Sequence, residues 1–73
     1  MDKGLDRLRS VIDGHYMGPL AMKAGTYEGG YCVKLLSSGR CIRIVHVSLT
    51  DMAENDDDAL QDEIVRQVRG ALS

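Results

Sequence analysis

Two cysteines, two histidines and a run of three aspartates are the residues whose types could carry chemistry in this chain. Cys32 and Cys41 could act as nucleophiles or metal ligands, and His15 and His46 as bases or ligands. A nucleophile needs a base within hydrogen-bond reach. A structural zinc site needs ligands gathered by short spacings, and no CxxC or HxxxH pair occurs here. Asp56-Asp57-Asp58 lacks the spaced ligands and the closing glutamate of a calcium loop. Gly29-Gly30 lacks the remaining glycines and the Lys-Ser/Thr pair of a phosphate loop. The reading is therefore of a protein that is not an enzyme and that has no catalytic centre, no metal site and no cofactor.

The stretch that must position the rest is Tyr31 to Thr50, which reads as a β-hairpin over 31–37 and 41–49. Ser38-Gly39 can form a two-residue turn, with glycine taking the positive φ that such turns require. That register pairs Leu36 with Cys41, Leu35 with Ile42, Lys34 with Arg43, Val33 with Ile44 and Tyr31 with His46. Alternation then sorts the side chains onto two faces. Tyr31, Val33, Leu35, Ile42, Ile44 and His46 form the expected core face. Cys32, Lys34, Leu36, Cys41, Arg43, Val45, Val47 and Leu49 form the other. This second face is half apolar and cationic, and it sets Lys34 against Arg43, a like-charge pair that costs up to roughly 1 kcal/mol. It reads either as a face partly covered by a loop or as a contact surface for a partner with acidic groups or for a second subunit. The same sorting separates Cys32 from His46. The alternation is not clean, and a β-bulge near Val45 would undo the sorting.

On either side lie two helical patterns. Leu5, Leu8, Val11 and Ile12 fall on one side of a helix over Asp2–Asp13, with Arg7 and Arg9 pointing away and Gly4 weakening its first turn. Leu60, Ile64, Val68, Ala71 and Leu72 make the stripe of a second helix from Asp56 to about Leu72. Asn55 or Asp56 is its natural N-cap, and Asp57 and Asp58 suit the first turn, where the helix dipole favours negative charge. Asp62 and Arg66 are spaced for a salt bridge. Between them, Leu20, Met22 and Ala24 alternate with Ala21 and Lys23 as a weak first strand, and 50–55 reads as a polar connector anchored by Met52. The expected fold is α+β, in the order α-β-β-β-α: a small antiparallel sheet with the N- and C-terminal helices on one face.

Seventy-three residues make one small domain with a modest core, aliphatic because the chain has no Trp and no Phe. Two cysteines out of step along the hairpin predict reduced thiols and a cytoplasmic location. The charged first turns predict no export signal, and no apolar run is long enough to span a bilayer. Residues 1–50 carry seven basic and four acidic side chains, whereas 51–73 carry two basic and seven acidic. An acidic element is thus attached to a slightly basic body.

The element order resembles that of double-stranded-RNA-binding domains in topology only. Those domains carry a lysine-rich start to the final helix, where this chain has three aspartates that would repel a phosphate backbone. The expected function is non-catalytic binding of another protein, as an inhibitor, adaptor or regulator; size and acidity also suit an inhibitor of a host nuclease encoded by a phage or other mobile element. The candidate contact residues are Lys34, Leu36, Arg40, Arg43, Val45 and Val47 on the hairpin and Asp56, Asp57 and Asp58 on the acidic helix. Two alternatives remain. One is a nucleic-acid-binding regulator using Lys23, Lys34, Arg40 and Arg43. The other is a structural subunit that self-associates, as a homodimer or larger assembly, through the open sheet face or edge.

Overall fold

The computed structural model describes residues 3–73. It has the α+β architecture, with one open antiparallel sheet and helices at both chain ends. Helix α1 spans Lys3–Ile12; the expected start at Asp2 lies outside the described residues. Four strands follow in a meander: β1 Tyr16–Met17, β2 Leu20–Tyr27, β3 Gly30–Ser37 and β4 Arg40–Val47, in the spatial order β1-β2-β3-β4. Helices α2 (Leu49–Glu54) and α3 (Asp57–Leu72) complete the chain.

Tight turns make the meander. The β3–β4 connection is the expected two-residue turn, with Ser37 paired to Arg40 and both central residues at positive φ, Ser38 at 51° and Gly39 at 81°. Backbone twist of this hand matches the twist of the strands it joins, and glycine adopts it without steric cost. The weak first strand is the full-length β2, with Met22 and Ala24 buried on the alternation read from the sequence.

One aliphatic core lies between the sheet and the helices. Leu8, Val11 and Ile12 of α1 and Leu60, Ile64 and Val68 of α3 pack with Met22, Ala24, Val33, Leu35 and Val47 of the sheet. The apolar stripes of both helices are therefore spent on the sheet. The expected connector at 50–55 is instead α2, because Ser48 caps it: its hydroxyl accepts from the Asp51 N–H at 3.0 Å. Leu49, expected on a strand face, is the first residue of that helix, and Met52 anchors it in the core.

Arg7 holds the helical layer together. Its Nε donates to Asp57 Oδ1 at 2.8 Å, and its two terminal nitrogens donate to the carbonyls of Met52 and Asn55. One guanidinium thus ties α1 to the corner between α2 and α3, meeting carbonyls that the end of α2 leaves without helical partners. Arg7→Ala is expected to cost about 1.5–3 kcal/mol, the range for hydrogen bonds to a charged group. The check is a lower urea midpoint with an unchanged slope.

Candidate functional site on the open sheet face

The sheet face away from the helices is set by the strand register. Between β3 and β4 the pairing shifts at Leu35/Leu36: Leu36 still faces Cys41, but Leu35 faces Arg43, Lys34 faces Ile44, Val33 faces Val45, Cys32 faces His46 and Tyr31 faces Val47. Ile42 is the extra residue of a β-bulge. One added residue exchanges the faces of everything after it. The β3 half of the expected sorting stands, as does Cys41 before the bulge; the rest of β4 is reversed. Ile44 and His46, expected in the core, face the open side; Ile42 and Ile44 are 57% and 39% exposed. Arg43, Val45 and Val47, expected with Lys34, lie on the helix side, where Val47 is buried and Val45 half-buried. The like-charge neighbour of Lys34 is Lys23 of β2, not Arg43.

Rows of directly paired residues therefore cross the open face. Ala21, Leu36 and Cys41 form one, Lys23, Lys34 and Ile44 the next, and Gly25, Cys32 and His46 the third. Tyr16 extends the first row from β1, and Tyr27 lies beyond the third, opposite Gly30. Tyr27 meets His46 edge-on across the side-chain-free Gly30, with ring centroids 4.8 Å apart and planes at 69°. The stem of Lys34 lies over Gly25, where an added Cβ would stand 3.0 Å from Lys34 Cε and 3.4 Å from Cys32 Sγ. Glycine at 25 thus lets the lysine lie flat along the sheet with its ammonium over the middle of the face.

Cys32 and His46 are direct cross-strand partners, which corrects their expected separation. The thiol is nevertheless fully buried, and burial raises its pKa; the charge of Lys34 acts the other way, and Cys41 adds a small upward push. That is the reverse of an activated thiolate. The folded protein holds this proton more tightly than the unfolded chain. Its contribution to stability is complete below the ordinary thiol range and is lost as pH rises through the raised value. Both cysteines are unpaired, and Cys41 is exposed. Iodoacetamide is expected to modify Cys41 in the native protein and Cys32 only on unfolding. Equal rates, read by peptide mass, would contradict the burial of Cys32.

The remaining candidate residues are scattered. Arg40 stands exposed at the β3–β4 turn. Asp56 caps α3, its carboxylate accepting from the Ala59 N–H at 2.8 Å, and Asp57 is held by Arg7 at 2.8 Å. Capping and pairing thus engage two of the three aspartates. Arg66 pairs with Glu63, three residues before it, in place of the expected Asp62. Hydrogen bonds from Arg66 and then Gln67 lower the Glu63 pKa. Among the described residues, no three His, Cys, Asp or Glu side chains come together as a metal site, and no helix is long and apolar enough to cross a membrane. Sequence reasoning missed Ile44, Tyr27 and His46 as open-face residues; the Ser38-Gly39 turn was a visible signal, but nothing in the sequence places the bulge at Ile42.

Charge divides between the sheet and the two C-terminal helices, while α1 carries Lys3, Arg7 and Arg9 against Asp6. Strands β2, β3 and β4 carry Lys23, Lys34, Arg40 and Arg43 and no carboxylate. Helices α2 and α3 carry Asp51, Glu54, Asp57, Asp58, Asp62 and Glu63 against Arg66 and Arg69. No family model, no curated protein and no solved structure matches the chain.

Proposed function

We propose that this chain is a small non-catalytic module that binds another protein through the open face of its sheet, acting as an inhibitor, adaptor or regulator. The observation that carries the reading is the uncovered face itself. Lys23 and Lys34 sit at its centre, with Leu36, Ile44, Tyr27 and His46 around them and no acidic side chain in any of its strands. Such a face offers aromatic and aliphatic contact area for a partner and positive charge for steering one that is acidic. Two copies docked face to face would oppose their lysine pairs, which disfavours self-association by this route. The unpaired thiols suit a cytoplasmic setting.

A second reading has one observation in its favour. Tyr16 and Tyr27 share the face with Lys23 and Lys34, and exposed rings beside cations can stack bases and meet phosphates. The acidic C-terminal helices α2 and α3 and the small number of cations weigh against it. Affinity capture from a lysate of the source cells, with and without nuclease, separates the two. A stoichiometric protein retained after nuclease by the wild-type chain, and lost from Lys23→Glu/Lys34→Glu, supports the protein-binding reading. Capture that disappears with nuclease and falls steeply with salt supports nucleic acid instead.

A further inference from the structure

The two edges of the sheet are treated differently by the fold. The β2 edge is occupied: β1 pairs with Leu20 and Ala21, the Met22 N–H donates to the His15 carbonyl at 2.9 Å, and the Ala24 N–H donates to Asp13 Oδ1 at 2.9 Å. At the opposite edge, β4 is eight residues long and, among the described residues, has β3 as its ladder partner on one side only. Arg40 through Ile44 are exposed throughout. An exposed strand edge is a template for another strand, and proteins commonly blunt it with charge, bulges or cover. Strand β4 carries two arginines and the bulge at Ile42, and the Arg43 carbonyl accepts from the Cys41 thiol at 3.5 Å, but Arg40 through Ile44 are not covered.

We propose that the β4 edge receives an extended, acidic segment of a partner protein, which joins the sheet as an added strand. The proposal rests on the protein-binding reading and names how the partner engages. The charge of the strand selects the occupant. Arg40 and Arg43 are exposed on β4, and the strand has no carboxylate. Two β4 strands laid edge to edge would add the arginines of one copy to those of the other with no carboxylate on either strand, so the charges that attract an acidic strand disfavour a second copy. The register sets the pattern of the incoming segment. Arg43 lies on the helix side of the sheet and Ile44 on the open side. A strand alternating acidic and apolar residues presents carboxylates to the first and apolar contacts to the second. Main-chain hydrogen bonds then supply affinity, and the alternate side chains supply specificity.

The test uses the full-length chain, labelled with 15N, and a capped eight-residue peptide of alternating valine and glutamate, the length of β4. Amide shifts and hydrogen exchange are followed as peptide is added. The expected result is slowed exchange at β4 amides with a dissociation constant of about 1 mM or below. Binding should weaken at least tenfold when the peptide is N-methylated along one edge, and likewise with Arg43→Glu. A valine-lysine peptide should not bind. No response up to about 1 mM would overturn the proposal. Equal binding of the N-methylated peptide, with shifts gathered at Lys23 and Lys34, would also overturn it while leaving protein binding through the open face intact. Concentration-dependent protection of β4 without peptide would overturn it in favour of a second copy.

Discussion

Leu35→Ala is expected to remove a large share of the protein's stability, about 2–5 kcal/mol. Leu35 is fully buried at the centre of β3, between Met22 of β2 and Arg43 of β4 and beneath the helices. Truncating it loses apolar burial and leaves a cavity that a small, close-packed core cannot refill. Small domains have about 0.05–0.15 kcal/mol of stability per residue, so a chain of 73 residues has little to spare. The midpoint of thermal unfolding, read by far-ultraviolet circular dichroism, should fall by about 10 °C or more. Leu36→Ala, one residue along and on the open face, should cost under about 1 kcal/mol. The same contrast applies on β4, where Val47 is buried and Ile44 is exposed. Equal losses at Leu35 and Leu36 would contradict the division of the sheet into a covered and an open face.

Lys34→Glu is expected to weaken partner binding at least tenfold and to leave the fold intact. Lys34 lies at the middle of the open face, beside Lys23 and Ile44, with its stem along Gly25. Reversing its charge places a carboxylate where an acidic partner approaches, and like charges brought together across an interface cost several kcal/mol. Opposite Lys23, the new glutamate forms a favourable cross-strand pair, so the isolated protein should be no less stable. Asp58→Ser, on the helical layer, should change binding by less than twofold. Titration of the captured partner against each variant reads both effects. A larger loss from Asp58→Ser than from Lys34→Glu would move the contact surface to the acidic helix.

The parts of this structure that were legible from sequence are those set by local periodicity. Leu8, Val11 and Ile12, and Leu60, Ile64 and Val68, recur at helical spacing and are buried as that spacing requires. Ser38-Gly39 marked its turn, and Asp56 its cap. The open face was only half legible. Its β3 residues, Lys34 and Leu36, were assigned correctly because they lie next to the turn in an unbroken strand. Its β4 residues beyond Cys41 were not, because one extra residue at Ile42 reverses the alternation and no side-chain type announces its position. The spacing places Arg7 off the apolar stripe but says nothing of its partners, because its three acceptors lie on α2, the corner after it and α3, far along the chain. Tertiary hydrogen bonding of this kind leaves no local pattern.

The position of the β4 bulge decides which residues face a partner, and cross-strand nuclear Overhauser effects in the labelled, isolated protein measure it directly. Contacts linking the backbones of Lys34 with Ile44, and of Cys32 with His46, are expected. They would fix Ile44 and His46 on the open face beside the lysines. Contacts linking Lys34 with Arg43 and Cys32 with Val45 would mean an unbulged hairpin. In that case Arg43 and Val45 would join Lys34 on the uncovered side, and Ile44 and His46 would have no place in the binding face.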